Sequence, residues 1–143
     1  MTRRRSSLLA APVETFARRE EGYLCLTLRG ERAPSWNALY SGVHWQKRRA
    51  LVEAAHALVH DAVQGFAPEE RAFRVPVRIT ITAHYTGTPC DPDNVCAKLY
   101  IDGLRHAGVL VDDNPRYVLS VTTASLRAAA RAGDCVTIEV VNA

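Results

Sequence analysis

Alternating apolar and polar residues predict four β-strands in this chain. The clearest run is residues 75–85, where every second residue is apolar and Pro76 lies near the start. Shorter alternating runs begin at Tyr23 and cover residues 117–125 and 135–141. Each run has one apolar and one polar face, which is typical of a half-buried strand.

Apolar residues at helical spacing predict two helices. The first covers residues 42–63, and its apolar stripe includes Trp45, which is therefore expected to pack against the core. The second has Asp93 or Asn94 as its N-cap and Gly108 just beyond its last turn. Together these elements predict a single α+β domain, with a mixed sheet of about four strands packed by two helices in the order strand, helix, strand, helix, strand, strand.

The beginning of the chain does not share this pattern. Arg3, Arg4 and Arg5 cluster there, and the apolar run that follows them is too short for a signal peptide. We expect residues 1–20 to form a flexible, Arg-rich N-terminal arm and residues 21–143 to form the folded domain.

Composition narrows the class of protein. A chain of 143 residues with 48% hydrophobic and 23% charged residues is expected to be one soluble globular domain without a membrane segment. Its net charge of +3 allows nucleic acid as a partner without requiring it. The four cysteines lack the spacing of a zinc site or a disulfide framework, so we expect free thiols and a cytoplasmic location.

Acidic residues at both ends of the second helix are the main candidates for chemistry. Asp91 and Asp93 precede the helix, and Asp112 and Asp113 follow it. Carboxylates clustered this closely repel one another, and a hard divalent cation such as Mg²⁺ offsets the repulsion. Carboxylate-held Mg²⁺ generates hydroxide and stabilises charge on a phosphodiester, and Lys98 supplies a further positive charge for the phosphate. The pattern therefore favours a nuclease.

Two other interpretations of these acids are weaker. An EF-hand calcium loop starting at Asp91 is excluded, because Val95 stands where an oxygen ligand is needed and Cys96 where glycine is needed. A purely structural role would have Asp93 cap the helix and the later acidic pair begin a turn. That role does not explain the presence of Asp91 and Lys98.

The acidic segment resembles the signature of the RusA family of Holliday junction resolvases, which phages and prophages often carry. The matching residues are Asp91-Pro-Asp93-Asn94, Lys98, Asp102-Gly-Leu, Asp112-Asp113 and the Pro34-Ser-x-Asn37 loop. The resemblance implies a small homodimeric α+β endonuclease that acts in DNA recombination and repair. It also implies a requirement for Mg²⁺, with Mn²⁺ as a substitute, and paired symmetric nicks in four-way DNA junctions.

The resemblance further implies which residues act. At matching positions the metal ligands are Asp91, Asp93 and Asp113, with Asp112 as a further ligand, and the catalytic cation is Lys98. Two alternatives stay open: a nuclease for flaps or other branched DNA, and a junction-binding protein without catalysis.

Candidate DNA contacts follow from polar and basic side chains in loops and at helix ends. They are Asn37, His44, Lys47, Arg48, Arg49, Arg105 and Arg116.

Overall fold

The computed structural model describes residues 12–42 and 44–143. The strands are β1 (Glu14–Glu20), β2 (Tyr23–Arg29), β3 (Val77–Tyr85), β4 (Val118–Arg127) and β5 (Cys135–Asn142). The helices are α1 (Trp36–Tyr40), α2 (Trp45–Val63), α3 (Pro68–Arg71) and α4 (Ala97–His106), with a 3₁₀ turn at Pro92–Asn94. Within the described ranges, none of the helices combines the length and the apolar character that crossing a membrane requires.

The five strands form one sheet in the order β1-β2-β5-β3-β4. Neighbours are antiparallel except β3 and β4, which run parallel and are connected through α4. The prediction of an α+β domain with a mixed sheet is confirmed. The predicted strand number and element order are wrong, because β1 precedes the other strands and two short helices, α1 and α3, flank α2.

The three central strands build the core. Their register places Leu26, Ile138 and Ile81 side by side across β2, β5 and β3, and all three are fully buried. The same alignment recurs two residues along in each direction, because successive side chains of a strand point to opposite faces. The buried side chains of α2 and α4 belong to the same hydrophobic cluster.

Strand β1 overturns part of the expectation for the N-terminus. Residues 14–20 pair with β2 and are not a flexible arm, while residues 1–11 lie outside the described residues. Ala17 lies opposite the buried Leu26, and Arg19 lies on the same core-facing side. The Arg19 guanidinium covers the Phe73 ring at 4.1 Å from its centroid. Arg19 and Ala17 therefore occupy positions where a strand pattern normally has large apolar residues.

Helix α4 begins later than the sequence pattern predicts. Asp93 and Asn94 lie in the 3₁₀ turn, and Cys96 occupies the N-cap position without a side-chain cap hydrogen bond. The assignment of Asp93 or Asn94 as N-cap is therefore wrong. The physical reason is that the Cys96 N–H donates to the carbonyl of Pro34 at 3.1 Å, so a contact with a distant loop delays the start of the helix.

The end of α4 is as predicted. Gly108 has φ +79°, a left-handed conformation that glycine adopts without strain. The Gly108 N–H donates to the Arg105 carbonyl at 3.1 Å, and the Val109 N–H donates to the Leu104 carbonyl at 2.9 Å. This pair of bonds is a Schellman motif, which satisfies carbonyls in the last turn of the helix.

Helices α2 and α4 approach each other closely at Gly103. A Cβ atom at this position would lie 3.0 Å from Val59 Cγ2, which is tighter than ordinary van der Waals contact. The absence of a side chain at Gly103 therefore sets how near α4 lies to α2, and with it the position of the polar face of α4 that carries Lys98.

Helix α2 begins at Trp45, three residues after the predicted start. His44 is its N-cap, and His44 Nδ1 accepts a hydrogen bond from the Gln46 N–H at 3.2 Å. The expectation that Trp45 packs against the core is wrong, because Trp45 is 57% exposed. The fully buried residues of α2 begin at Ala55, about three turns further along.

Candidate functional site

Two loops that are distant in sequence are joined at the candidate site. Ser35 forms an antiparallel bridge with Val95, and the Asn37 backbone N–H donates to Asn94 Oδ1 at 3.3 Å. Ser35 also caps α1, its hydroxyl accepting from the Ala38 N–H at 3.0 Å. These bonds hold the loop before α1 against the acidic turn, so the two segments that carry the sequence signature are neighbours.

The first half of the site is a cleft of about 510 Å³, which we call the acidic cleft. It is lined by Trp36, Asn37, Asp91, Asp93 and Asn94. Asp91 and Asp93 are exposed, and their carboxylates take part in no hydrogen bond or ion pair with other described residues. With two carboxylates and no basic side chain in its lining, this cleft has a formal charge of −2.

The second half is a cleft of about 320 Å³, which we call the lysine cleft. It is lined by Trp36, Ala97, Lys98, Ile101, Asp102, Asp113, Val118 and Val121. Lys98 Nζ lies 3.5 Å from Asp102 Oδ2, one turn away on the same face of α4. One cation and two carboxylates give this lining a formal charge of −1, and Trp36 is common to both clefts.

Strand β4 is hydrogen-bonded to the acidic turn. The Thr123 hydroxyl donates to the carbonyl of Pro92 at 2.7 Å. Thr123 lies in the middle of β4, an edge strand of the sheet. Its hydrogen bond therefore fixes the position of the turn that carries Asp91 and Asp93 relative to the sheet. Sites carried on such rigid elements keep their geometry better than sites on free loops.

Asp112 is engaged in its own turn. Its Oδ1 accepts from the Asp113 N–H at 2.7 Å, and its Oδ2 accepts from the Asn114 side-chain amide at 3.3 Å. The hydrogen bond from Asp113, and more weakly the positive charge of Arg105 and the hydrogen bond from Asn114, lower the pKa of the Asp112 carboxyl. Asp113, by contrast, is exposed and lines the lysine cleft. Of the two neighbours, Asp113 has the carboxylate that faces the site.

The structure thus divides the sequence-predicted acids between the two clefts. Asp91 lies with Asp93 in one cleft, and Asp113 lies with Lys98 in the other. Within residues 12–42 and 44–143, no group of three or more His, Cys, Asp or Glu side chains is placed to hold a metal ion. The donor atoms of the acidic cleft are carboxylate and amide oxygens, which fit a hard cation such as Mg²⁺ that keeps several water ligands.

The candidate DNA contacts fall into two groups. The first surrounds α1 and the start of α2, where Asn37, His44, Lys47 and Arg49 are exposed and Arg48 is half-buried. Each of these residues lies close in sequence to Trp36, which lines both clefts.

The second group consists of Arg105 and Arg116, which are both exposed. In sequence they flank Asp113, a residue of the lysine cleft. Arg105 is close enough to Asp112 to affect its pKa. The Arg116 N–H donates to Asn114 Oδ1 at 2.9 Å, so Arg116 belongs to the turn that follows Asp113.

Three roles in the site were not assigned from the sequence. Trp36 lines both clefts, Asp102 pairs with Lys98, and Thr123 holds the acidic turn. Asp102 had a usable signal, since its spacing of four from Lys98 puts both on one helix face. The roles of Trp36 and Thr123 depend on contacts between distant segments, which have no local pattern.

Comparisons of this chain with protein-family models and with curated proteins found no match. The functional interpretation therefore rests on the two clefts and the surface around them.

Proposed function

We propose that this protein is a Mg²⁺-dependent, structure-selective endodeoxyribonuclease that resolves four-way DNA junctions by paired nicks in recombination and repair. The observation that carries the proposal is that an acidic cleft without a basic lining residue and a lysine-bearing cleft share Trp36 in their linings. Phosphodiester hydrolysis needs both features, a set of oxygen ligands and a fixed positive charge near the phosphate. The resemblance of the acidic segment to RusA resolvases points to the same reaction.

Asp91 and Asp93 would hold the cation, with Asn94 and Asn37 as neighbouring oxygen donors. When bound, Mg²⁺ supplies hydroxide at neutral pH and offsets charge on the phosphate, and Mn²⁺ is expected to substitute for it. Asp113 faces the site from the lysine cleft and completes the proposed acidic set.

Lys98 provides the fixed positive charge. Asp102 lies 3.5 Å from its ammonium and limits the positions that this long side chain can take. The Lys98 side chain is still 54% exposed, so it is open to a phosphate that enters the lysine cleft. In this position it neutralises negative charge that builds on the phosphate during hydrolysis.

Two matched cuts require two sites, and the described chain carries one pair of clefts, so we propose a homodimer. Strand β4 supports this assembly. It is an edge strand without a partner on its outer side among the described residues, and no charged side chain occurs in residues 118–126. Leu119 is 49% exposed there, and uncharged edge strands of this kind readily pair with another chain. Sedimentation analysis of the purified protein should give twice the monomer mass.

The test of the nuclease is the substitution Asp93→Asn. We expect it to abolish Mg²⁺-dependent nicking of a synthetic four-way junction while binding to the junction survives, because the amide keeps the size of the side chain and loses its charge. The matched control is Asp61→Asn, which changes an exposed aspartate of α2 that lines neither cleft and should leave nicking at the wild-type rate. Nicking of the junction by Asp93→Asn at the wild-type rate would rule out the proposed metal site.

One observation favours a second candidate, a branched-DNA-binding protein without catalysis. The acids that the resemblance implies as ligands line different clefts, Asp91 and Asp93 in the acidic cleft and Asp113 in the lysine cleft. This candidate predicts a mobility shift with four-way junctions and no cleavage in either Mg²⁺ or Mn²⁺. A panel that includes flaps and linear duplexes separates both candidates from a nuclease for other branched DNA.

A further inference from the structure

An exposed aromatic and basic surface adjoins the two clefts. We call it the aromatic surface, and it consists of Trp36, Tyr40, His44, Trp45 and Arg48. The Trp36 and Tyr40 rings stack with centroids 5.3 Å apart, and the His44 and Trp45 rings stack at 5.9 Å. The Arg48 guanidinium lies over the Tyr40 ring at 5.0 Å from its centroid. The surface therefore presents planar groups in succession, beginning at the residue that lines both clefts.

Trp36 packs partly against the core, but Tyr40 and Trp45 do not belong to it. Trp45 is 57% exposed and Tyr40 is 45% exposed, although large aromatic side chains normally bury most of their area. Trp45 comes about three turns before Ala55, the first fully buried residue of α2. His44 stacks against Trp45 and leaves more than half of the Trp45 surface open to solvent. Contact with a ligand would explain this exposure.

The charge of the same segment identifies the class of ligand. Between Trp36 and Val52 the sequence contains three cations, Lys47, Arg48 and Arg49, and no Asp or Glu, and the next residue, Glu53, pairs with Arg49 at 3.1 Å. Planar rings interleaved with cations bind single-stranded nucleic acid, in which bases stack on the rings and phosphates contact the cations. A paired duplex does not offer the faces of its bases to such a surface, whereas unpaired nucleotides do.

We propose that the aromatic surface binds unpaired nucleotides of DNA by stacking a base on Trp45, which is 57% exposed. The inference rests on the proposed function, because it places these nucleotides beside the two clefts through Trp36, and it adds a substrate feature. DNA with unpaired nucleotides next to the branch point would then be held more tightly than a fully paired duplex.

Binding in metal-free buffer tests the inference without any need for catalysis. The intrinsic fluorescence of the two tryptophans, Trp36 and Trp45, is followed during titration with a short oligothymidylate and with an abasic chain of the same length. We expect the oligothymidylate to quench the emission and to bind roughly fivefold to 140-fold more tightly for each stacked base. The abasic chain measures the phosphate contribution alone.

The variant Trp45→Ala should reduce the affinity for oligothymidylate toward that for the abasic chain, and Trp45→Phe should retain most of the difference because a ring remains. Far-ultraviolet circular dichroism checks that both variants fold, as expected for an exposed position. Equal affinity for the two chains in the wild type, or oligothymidylate affinity unchanged in Trp45→Ala, would overturn the inference. If base-dependent binding is present and no protein nicks DNA, the nuclease proposal fails and the aromatic surface stands.

Discussion

One partly buried hydrogen bond connects α4 with the segment before α1 and permits a quantitative prediction. The Tyr100 hydroxyl donates to Glu31 Oε2 at 2.8 Å. Tyr100 is fully buried in α4, and Glu31 is half-buried in the loop that leads to α1. The bond therefore ties the helix that carries Lys98 to the loop that precedes Trp36.

The substitution Tyr100→Phe removes the hydroxyl and retains the ring. Because the acceptor is a carboxylate, we expect the free energy of unfolding near neutral pH to fall by about 1.5–3 kcal/mol. The matched control is Tyr85→Phe. The Tyr85 hydroxyl is also buried and donates at 3.0 Å, but to the neutral carbonyl of Ala33, so its loss should cost only about 0.5–1.5 kcal/mol.

The cost of Tyr100→Phe should also depend on pH. Burial raises the pKa of Glu31 above its usual 4.5, and the hydrogen bond from Tyr100 partly opposes this rise. A raised folded pKa means that the stability contributed by Glu31 is present below pH 4.5 and is lost as the pH rises through the folded pKa. In Tyr100→Phe the pKa of Glu31 rises further, so the variant loses more stability than the wild type over this interval.

Denaturant unfolding of the wild type and both Tyr→Phe variants, at neutral pH and at pH 4.5, measures these costs. The variant Glu31→Gln, which has no titrating carboxyl, should show the smallest difference between the two pH values. Equal costs for Tyr100→Phe and Tyr85→Phe at both pH values would refute the role assigned to the Glu31 carboxylate.

Two further predictions concern the contact between α2 and α4. Gly103→Ala should gain up to about 1 kcal/mol in helix propensity but lose about 1–3 kcal/mol from overpacking, because its Cβ would lie 3.0 Å from Val59 Cγ2. Thermal unfolding should show a less stable protein, and a stabilised variant would mean that Val59 yields easily. The second is His56→Gln: burial, and then the charge of His106, lower the pKa of His56 below 6.5. The wild type should therefore lose stability as the pH falls from 6.5 through the folded pKa, and the variant should lose less, as measured by denaturant unfolding across that range. Parallel pH profiles would contradict the assignment.

The strands that build the core could be predicted because apolar residues alternate with polar residues along each strand. In β3 every inward position is apolar, and the predicted range 75–85 is close to the observed Val77–Tyr85. In β1 the inward positions opposite Leu24 and Leu26 are Arg19 and Ala17, while Phe16 points outward and is 46% exposed. The inward side of β1 thus lacks large apolar residues, and the strand is held by its pairing with β2.

The sequence predicts that the acids lie at the two ends of one helix, but it does not predict that they line two different clefts. The pairing of Ser35 with Val95 joins positions 60 residues apart, and it moves the start of α4 from the predicted cap at Asp93 to Cys96. Local propensity favours Asp or Asn as an N-cap. A tertiary contact overrides that preference here, and only the structure reveals it.

The division of charge around Trp36 explains why a list of acids does not define the site. Four carboxylates placed close together repel one another. In the structure Asp113 shares its cleft with Lys98, whose charge partly offsets that of the acids there, whereas Asp91 and Asp93 face a cleft without any basic lining residue. The electrostatic need for a divalent cation is therefore greatest in the acidic cleft. Trp36, the first residue of α1, lines both clefts, and no pattern of acidic residues identifies it.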